Sequence, residues 1–364
     1  MDTVASKFQM EGEVTELVPF GNGHINDTFR ITCGLPAGGE KKYILQKMNN
    51  SIFKNPEELM ENVMNVTSFL RKKIIAAGGD PDRETLNVIP AKDGRNYLNN
   101  GEECWRMYIF IEGATCYDEV KTPEDFYNSA VSFGNFQRML ADYPAETLHE
   151  TIKNFHNTVS RFADFKKAVE EDVCGRAKEV QEEIKFIMER EADAHIICDA
   201  LEEKRIPLRV THNDTKLNNI MIDDKTGKGL CVIDLDTVMP GSALYDFGDS
   251  IRFGASTGAE DEPDLSLVSV NLELFDIYTK GFLEGCGGSL TEEEIKLFPA
   301  GAKVITFEQG MRFLTDYLQG DTYYKIHRPG HNLDRSRTQL KLVADMEKKW
   351  DEMEKIVEKY SKNA

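Results

Sequence analysis

Four polar residues in the middle of the chain have the types and the spacing that phosphoryl transfer needs. They follow the order His-x-Asp-x-Lys-x-x-Asn and are His212, Asp214, Lys216 and Asn219. A carboxylate at such a site can orient an acceptor hydroxyl and take its proton, while an ammonium offsets charge that develops on a phosphate. An amide oxygen is a ligand for Mg²⁺. We therefore predict that Asp214 and Lys216 are catalytic and that Asn219 binds metal.

A second carboxylate, Asp234, completes this set. Two short apolar segments, 220–222 and 230–233, precede it and flank a turn that contains glycine. This pattern predicts a β-hairpin that carries Asp214 and Asn219 at its entrance and returns Asp234 to the same end. Protein kinases use the same arrangement of a catalytic-loop Asp, an Asn shortly after it and a second Asp farther along. Asp234 is therefore the second predicted Mg²⁺ ligand.

The N-terminal part of the chain contains two elements that could hold the phosphates of a nucleotide. A turn between two predicted strands contains Gly21 and Gly23, and glycines let backbone N–H groups approach phosphate oxygens. An ordinary hairpin turn is the alternative. The next predicted strand ends with Gln46 and Lys47. Lys47 is the candidate for binding the α- and β-phosphates, although Gln46 could occupy that position and Lys47 could be a solvated lysine.

A strongly apolar strand, 104–111, is predicted to end where the chain crosses between two domains. There the backbone of Ile109 and Ile111 would bind the adenine ring. We place the boundary directly after this strand, with a nucleotide-binding domain at 1–112 and a catalytic and substrate-binding domain at 113–364. Further strands are predicted at positions 14–20, 28–32, 41–48, 86–90 and 96–100.

Beyond Thr122 the pattern becomes helical. Thr122 precedes Pro123 and two acidic residues, which is typical of a helix N-terminus, and Thr291 begins a capping box. Pro299 is expected to end or kink a helix, and a last helix is predicted over 337–360. Asp246 and Asp249 are expected to brace the loop that carries Asp214 through hydrogen bonds. Together these patterns predict a strand-rich first domain and a mainly helical second domain.

The composition narrows the classes of partner. The chain has 364 residues, which favours two domains, and its net charge is −19, which disfavours nucleic acid and anionic membranes as partners. It contains no run of eighteen apolar residues and no apolar core of a signal peptide. Its seven cysteines form no Cys-x-x-Cys pair, so we expect a reducing, cytoplasmic location without disulfides or zinc. The Walker motif is absent, which argues against a P-loop kinase.

Three segments of the sequence resemble the aminoglycoside phosphotransferase family. They are His-Asn-Asp at 212–214 with Asn219, Ile-Asp at 233–234, and Phe-Gly-Asp at 247–249. Longer segments are similar to the bacterial N-acetylhexosamine 1-kinases within that family, and the resemblance spans roughly residues 14–345. The longer segments are His-Asn-Asp-Thr-Lys at 212–216, Val-Ile-Asp-Leu-Asp-Thr-Val-Met-Pro-Gly at 232–241, Asp-Phe-Gly-Asp-Ser-Ile-Arg at 246–252 and Arg-Phe-Leu-Thr-Asp-Tyr-Leu at 312–318.

The resemblance implies an α+β, bilobal, protein-kinase-like fold with a small antiparallel β N-lobe and a larger, mainly helical C-lobe. It implies ATP- and Mg²⁺-dependent phosphorylation of the anomeric hydroxyl of N-acetylglucosamine or N-acetylgalactosamine by a monomer or homodimer. Asp214 would then lie near the sugar O1, and Phe253, Arg312 and Tyr323 are the candidate sugar contacts. The sequence departs from the family at Gln46-Lys47, where the phosphate-binding lysine is not clearly defined.

Two alternatives remain. Another small-molecule kinase of the same family would act on an aminoglycoside, choline, homoserine or methylthioribose, and the net charge of −19 favours such a cationic acceptor. Against this, segment 317–334 is rich in aromatic residues, His and Arg, a mixture that suits a neutral, hydroxyl-rich acceptor. The other alternative is a non-catalytic nucleotide-binding protein, which would be expected to have lost one of Asp214, Asn219 and Asp234.

Overall fold

The computed structural model describes residues 2–21, 26–117 and 120–361. The chain divides into two compact units. The first unit comprises Met1–Thr115, Leu148–Ile152 and Met221–Val238, and the second comprises Cys116–Thr147, Lys153–Ile220 and Met239–Ala364. Each unit is therefore assembled from segments that are distant in sequence.

Ten strands are found in the described part of the chain. They are β1 (Glu13–Pro19), β2 (Asp27–Gly34), β3 (Glu40–Met48), β4 (Leu98–Asn99), β5 (Cys104–Ile109), β6 (Ala114–Thr115), β7 (Arg209–Thr211), β8 (Ile220–Asp223), β9 (Gly229–Val232) and β10 (Met239–Gly241).

The same residues form twelve α-helices. They are α1 (Asp2–Ala5), α2 (Pro56–Ala76), α3 (Pro123–Met139), α4 (Thr158–Glu171), α5 (Gln181–Met188), α6 (Glu191–Glu202), α7 (Ala243–Gly254), α8 (Leu272–Cys286), α9 (Glu292–Lys296), α10 (Phe298–Leu318), α11 (His331–Lys348) and α12 (Trp350–Ser361). None of these described helices is both long enough and apolar enough to cross a membrane.

The first unit is built on a five-stranded antiparallel sheet with the order β1-β2-β3-β5-β4. Side chains alternate between the two faces of each strand. On one face the apolar side chains pack into a buried core, whose members include Ile31, Tyr43, Leu45, Trp105 and Met107. Removal of this apolar surface from water stabilises the sheet. The other face carries polar side chains of β3 and β5.

The prediction of a strand over 86–90 is wrong, because within this segment only Val88 forms a bridge, to Tyr108 of β5. Hydrogen bonds from Ile89 N to Met107 O and from Ile109 N to Asn87 O flank that bridge. Pro90 has no N–H with which to extend the pairing. The strand predicted over 96–100 shortens to β4, Leu98–Asn99.

The predicted hairpin before Asp234 is confirmed. Strands β8 and β9 are hydrogen-bonded neighbours in a three-stranded sheet with the order β6-β8-β9. In the turn, the Asp223 carboxylate accepts hydrogen bonds from the backbone N–H groups of Lys225 and Thr226, at 3.1 and 2.9 Å. Gly227 adopts a φ of +67°, a conformation that glycine accepts without strain.

The second unit is mainly helical, and its helix termini follow the sequence signals. Capping boxes begin α3 at Thr122 and α9 at Thr291, as predicted. Pro299 lies in the first turn of α10, where its missing N–H costs nothing, so the predicted break falls between α9 and α10. The single helix predicted over 337–360 is wrong, because α11 ends at Lys348 and α12 begins at Trp350.

Close packing of α3 against α8 depends on glycine. A Cβ at Gly134 would lie 2.3 Å from the carbonyl oxygen of Phe282, and one at Gly285 would lie 2.3 Å from that of Val131. The Phe247 ring of α7 stacks on Phe298 of α10 at a centroid distance of 4.1 Å and contacts Tyr278 and Phe282 of α8 edge-on. This buried aromatic core positions α7, which carries the two carboxylates that organise the site described next.

Candidate active site

The loop after β7 is clamped by a buried carboxylate of α7, Asp246. Its Oδ2 accepts hydrogen bonds from the backbone N–H of His212 at 3.0 Å and from the side-chain amide of Gln137 at 2.6 Å. Its Oδ1 accepts one from the backbone N–H of Asn213 at 2.8 Å. Asn213 has a φ of +66°, a strained conformation that persists only where the surroundings enforce it. Burial raises the pKa of Asp246, although the bonds from these groups oppose that rise.

The second carboxylate of α7, Asp249, holds the same loop farther along. Its Oδ2 accepts the backbone N–H of Thr215 at 2.9 Å, and its Oδ1 accepts two N–H groups of Arg252 at 3.0 and 2.9 Å. Arg252 also donates to Glu260 at 2.7 Å. The prediction that Asp246 and Asp249 brace the loop is therefore confirmed.

Three of the predicted site residues meet on this braced loop. The Lys216 ammonium lies 3.0 Å from Oδ1 of Asp214. The Asn219 amide nitrogen donates to Oδ2 of Asp214 at 3.1 Å and to its backbone carbonyl at 2.8 Å. The Asp214 side chain remains 26% exposed, so a small molecule can reach it. The structure thus brings Asp214, Lys216 and Asn219 together.

Electrostatics keep Asp214 ionised. Burial acts to raise the pKa of its carboxyl, but the charges of Lys216 and His212 and the hydrogen bonds from Lys216 and Asn219 outweigh burial and lower it. Asp214 in turn raises the pKa of Lys216 well above its ordinary value. At neutral pH the pair is therefore a carboxylate beside an ammonium, which can orient a hydroxyl and face a phosphate at the same time.

Phe253, one of the predicted acceptor contacts, lies beside this pair. The Lys216 ammonium is 6.0 Å from the centroid of its ring, within the range of a cation–π contact. The ring is 37% exposed although it lies in the last turn of the buried helix α7. An exposed aromatic ring next to the predicted catalytic pair has a face available for stacking against an organic molecule.

A second group of side chains contains Arg312 of α10 and Tyr323 of the loop that follows this helix. The Arg312 guanidinium lies 5.2 Å from the centroid of the Phe155 ring and 5.7 Å from that of Tyr324. Burial acts to lower the pKa of Arg312, but Tyr324, Glu308 and Tyr323 raise it, the last partly through a hydrogen bond. The structure therefore brings Arg312 and Tyr323 together, with Tyr323 59% exposed.

The loop that presents these tyrosines is held by Asp316, which the sequence did not single out. Its Oδ1 accepts the backbone N–H of Tyr323 at 2.8 Å and that of Thr322 at 2.8 Å. Its Oδ2 accepts the N–H of Tyr324 and the side-chain amide of Asn332, both at 2.9 Å. A carboxylate on the buried side of an apolar helix was the available signal, because such a group needs several donors.

Glu308, one turn before Arg312, already has two hydrogen-bonding partners. Its carboxylate lies 2.8 Å from Nδ1 of His156 and accepts the Thr158 hydroxyl at 2.7 Å. Arg161 lies close enough to Arg312 that burial and this like charge lower its pKa. Arg312 and Arg161 therefore lie near each other beside Glu308, whose carboxylate is engaged by His156 and Thr158.

Glu260 links the two groups of side chains electrostatically. Burial acts to raise its pKa, but Arg252 and Lys216 outweigh that effect and lower it. Glu260 also contributes to the raised pKa of Tyr324, for which burial is the main cause. Lys216 belongs to the Asp214 group and Tyr324 to the Arg312 group, so Glu260 lies within electrostatic range of both.

Asp234 lies in the first unit, two residues after the end of β9. Its backbone is left-handed, with φ 57° and ψ 59°, and it precedes the tight turn Leu235–Thr237. The next carboxylate, Asp236, is buried and accepts hydrogen bonds from Arg106 and from the Asn26 side chain. A carboxylate in a strained backbone that its neighbours enforce is typical of a functional site.

Lys47 is directed away from this turn. Its ammonium lies 2.6 Å from the Glu103 carboxylate and 5.9 Å from the centroid of the Trp105 ring. Its neighbour Gln46 points to the opposite face of β3 and accepts a hydrogen bond from Arg106 at 3.0 Å. The sequence did not single out Arg106; an arginine within an apolar strand was the signal that could have found it.

The remaining predicted nucleotide contacts lie along β1 and β5. Gly21 has a φ of +76°, and a Cβ there would meet no atom within 4 Å, so this glycine serves the turn itself; Gly23 lies outside the described residues. The N–H of Ile109 donates to the Asn87 carbonyl at 2.9 Å, which occupies that donor. Ile111 is buried two residues beyond the end of β5. Their contacts with adenine remain predictions.

Residues able to hold a metal must supply oxygen ligands. Within the residues that the structure describes, no group of three or more His, Cys, Asp or Glu side chains could hold a metal ion. Mg²⁺ at a nucleotide site needs only one or two protein carboxylates, since phosphates and water complete its shell. The Asn219 amide nitrogen donates to Asp214, which leaves its side-chain oxygen as a possible ligand. Asn219 in the second unit and Asp234 in the first each carry an oxygen of the kind that Mg²⁺ prefers, and their binding of one ion remains a prediction.

Comparison with known proteins places this chain in a family. Residues 16–274 match APH, the phosphotransferase enzyme family. This match covers more than half of the chain, and the protein belongs to the APH phosphotransferase family.

Solved structures similar to this one share its fold. An aminoglycoside phosphotransferase from Alicyclobacillus acidocaldarius has a TM-score of 0.60 at 12% identity, with 100% of this chain and 97% of that one covered. A microcompartment-associated aminopropanol kinase has a TM-score of 0.58 at 14% identity, with 97% of each chain covered. Amicoumacin kinase, solved with AMP-PNP and Ca²⁺, has a TM-score of 0.57 at 11% identity, with 95% and 91% covered. The predicted α+β, kinase-like fold is confirmed.

Proposed function

We propose that this phosphotransferase is an ATP- and Mg²⁺-dependent sugar kinase that phosphorylates the anomeric hydroxyl of N-acetylglucosamine or N-acetylgalactosamine. The product would be an N-acetylhexosamine 1-phosphate. The observation that carries the proposal is the partly exposed Asp214 carboxylate, held by Lys216 at 3.0 Å and by Asn219 at 3.1 Å on a braced loop. The sequence resemblance described above supports the choice of sugar.

Asp214 accepts the hydrogen bond of the acceptor hydroxyl and takes its proton as the phosphoryl group is transferred. Its lowered pKa makes it a weak base. An anomeric hydroxyl is more acidic than an ordinary alcohol, so a weak base suffices. The Lys216 ammonium contacts the same carboxylate and offsets negative charge on the transferred phosphoryl group.

Asn219 and Asp234 are the residues that would hold Mg²⁺. When bound, the ion would neutralise the phosphate oxygens of the nucleotide. Asn219 directly precedes β8, and Asp234 follows β9, so one hairpin connects the two ligands in the chain. The amicoumacin kinase structure, with its nucleotide analogue and divalent cation, supports ATP and a divalent ion as cofactors of this fold.

The acceptor would bind against Phe253, Arg312 and Tyr323. A guanidinium and a phenol are hydrogen-bond donors to hydroxyl and acetamido oxygens, and an aromatic ring packs against the apolar face of a sugar. The two neighbouring guanidinium groups of Arg312 and Arg161 disfavour a cationic acceptor at this position.

A cationic acceptor is the second candidate, and one observation favours it. Burial acts to raise the pKa of Glu260, but Arg252 and Lys216 lower it, which keeps Glu260 an anion between the two groups of side chains. Choline kinase from Cryptosporidium parvum also shares the fold, with a TM-score of 0.54. Arg252 donates to Glu260 at 2.7 Å, so that carboxylate too is already paired, and we favour the sugar.

A coupled assay of ADP release tests the proposal. Purified protein with ATP and Mg²⁺ is offered N-acetylglucosamine, N-acetylgalactosamine, glucose, galactose, choline, aminopropanol, homoserine and kanamycin. The methyl glycoside of N-acetylglucosamine, whose anomeric oxygen is blocked, is the matched control. Turnover with the free N-acetyl sugars and none with the glycoside would support an anomeric kinase. Turnover only with an amine would overturn the proposed acceptor while retaining the class of reaction.

A further inference from the structure

The turn that carries Asp234 is tied to the β-sheet of the first unit by a buried ion pair. The guanidinium of Arg106 donates to Oδ1 of Asp236, and the side-chain amide of Asn26 donates to Oδ2 at 2.7 Å. The Arg106 side chain is 1% exposed and that of Asp236 is 4% exposed. Both oxygens of Asp236 are therefore engaged, and the position of the turn depends on these two donors.

Several strands of the sheet converge on this ion pair. Arg106 lies on β5 directly opposite Gln46 of β3, and its Nε donates to the Gln46 side chain at 3.0 Å. Gln46 in turn donates to the Thr28 hydroxyl of β2 at 3.1 Å. Asn26, just before β2, also accepts the N–H of Asn49 at 3.0 Å. Hydrogen bonds thus link residues of three strands, β2, β3 and β5, to the single carboxylate of Asp236.

The charge of Arg106 acts on the predicted metal ligand as well. Burial acts to lower the pKa of Arg106, but Asp236 and, to a smaller extent, Asp234 raise it above the ordinary value. Two carboxylates separated by one residue in a tight turn repel each other unless a cation lies between them. A buried guanidinium in turn requires such partners, because an unpaired charge is costly to bury.

Arg106 provides on β5 a charge that the sequence suggested for β3. Lys47 lies on the other face of β3, against Glu103 and Trp105. At the adjacent position β3 carries the neutral Gln46, and this residue orients Arg106. On the face of the sheet that holds the Asp234 turn, a positive charge is thus supplied by Arg106 of β5 and not by Lys47 of β3.

We infer that Arg106 is a positioning residue for the metal–nucleotide site, acting through Asp236 on the turn that carries Asp234. This inference rests on the proposed function, since it assigns Asp234 to the divalent ion. The positive charge of Arg106 offsets the repulsion between the carboxylates of Asp234 and Asp236. Its ion pair with Asp236 also fixes the backbone that carries Asp234. Loss of Arg106 should therefore weaken the binding of the divalent ion more than it weakens the binding of the acceptor.

Binding of a fluorescent ATP analogue, titrated with Mn²⁺ in the absence of any acceptor, tests this inference. The variants are Arg106→Met, Arg106→Lys and Asp236→Asn. Partners of metal ligands typically contribute about 10–100-fold in metal affinity, so Arg106→Met and Asp236→Asn should raise the Mn²⁺ concentration for half-maximal nucleotide binding by about tenfold or more. Arg106→Lys keeps the charge and should restore part of the loss. The acceptor KM at saturating metal should remain unchanged.

A matched control separates this effect from general damage to the sheet. Lys41→Met removes a different ion pair of the same sheet, that between Lys41 of β3 and Glu11 at 2.6 Å. It should leave the Mn²⁺ titration unchanged. Thermal unfolding without ligands shows which variants fold. If Arg106→Met does not fold, Arg106→Lys and Asp236→Asn decide the outcome.

The outcomes distinguish this inference from the proposed function. If folded Arg106→Lys and Asp236→Asn proteins titrate with Mn²⁺ like the wild type, the network is only structural and the inference is overturned. If the wild-type protein binds the ATP analogue without any dependence on a divalent ion, both the inference and the proposed cofactors fail. A selective shift in the Mn²⁺ titration supports the inference whichever acceptor the enzyme uses.

Discussion

The ammonium of Lys216 lies 3.0 Å from the carboxylate of Asp214, and each raises the tendency of the other to stay charged. In the proposed mechanism this pair would place a proton acceptor and a positive charge within one small region. The pair depends on a loop that two carboxylates of α7 hold from beneath. Variants of Asp214 and Lys216 therefore test the proposed chemistry, and variants of the α7 carboxylates separately test the loop that positions this pair.

Replacement of Asp214 by Asn should abolish most turnover. The amide keeps the size of the side chain but cannot take the proton of the acceptor hydroxyl, so we expect kcat to fall by about 10²–10⁴. Binding of a fluorescent ATP analogue should remain close to that of the wild type. Asp164→Asn, at an exposed position of α4, is the control. Unchanged turnover would remove Asp214 from the mechanism.

Replacement of Lys216 by Met should change the pH dependence of activity. Lys216 helps to hold the pKa of Asp214 below its ordinary value. Activity needs the ionised carboxylate and is lost as the pH falls through that pKa. Without the ammonium the pKa rises, so the acid limb of the kcat/KM profile should move to higher pH, and kcat should fall by about 10²–10³.

The measurement for Lys216 is a pH–rate profile of the wild type and the variant at saturating ATP. Lys296→Met, at an exposed position of α9, should reproduce the wild-type profile. An acid limb that stays in place, together with a lower kcat, would show that Lys216 acts on the phosphate alone. It would also show that Lys216 does not set the ionisation of Asp214.

Replacement of Asp246 by Ala should destabilise the protein. The carboxylate accepts N–H groups of His212, Asn213 and Gln137 in a fully buried position. Its loss leaves those donors unsatisfied, at a cost of about 2–4 kcal/mol in the free energy of unfolding. Denaturant unfolding measures this cost, with Asp164→Ala as the surface control. A loss below about 0.5 kcal/mol would show that the loop is held by other contacts.

Replacement of Asp316 by Ala should weaken acceptor binding. Asp316 accepts the N–H groups of Thr322, Tyr323 and Tyr324, so its removal releases the loop that carries the proposed acceptor contacts. We expect the acceptor KM to rise by about tenfold, while the KM for ATP changes little. Glu182→Gln, at an exposed position of α5, is the control. An equal rise of both KM values would contradict a role confined to the acceptor.

Local signals in the sequence were sufficient for many elements. The capping boxes at Thr122 and Thr291, the hairpin before Asp234 and the helix break at Pro299 all depend on residues that are close in the chain. The same holds for Asp214, Lys216 and Asn219, which a single loop carries. Short-range hydrogen bonds and backbone preferences determine these features, and the sequence contains them directly.

Local signals failed where a segment pairs with a distant partner. The segment 86–90 has the apolar character of a strand, yet Val88 alone forms a bridge, because Pro90 cannot donate to the ladder. Lys47 shows the same limit in another form. Alternation along β3 places Lys47 and Gln46 on opposite faces, but the sequence does not say which face meets the turn of Asp234.

Residue types at short spacing were enough to predict the loop of Asp214 and the hairpin after it, and longer segments that resemble a known family were enough to predict the fold. The pairing of Arg106 with Asp236 and the hold of Asp316 on the loop of Tyr323 became visible in the folded chain alone. A buried charge needs a partner, but burial itself is a property of the packed chain. Which carboxylate meets which guanidinium is therefore settled only when distant strands and turns come together.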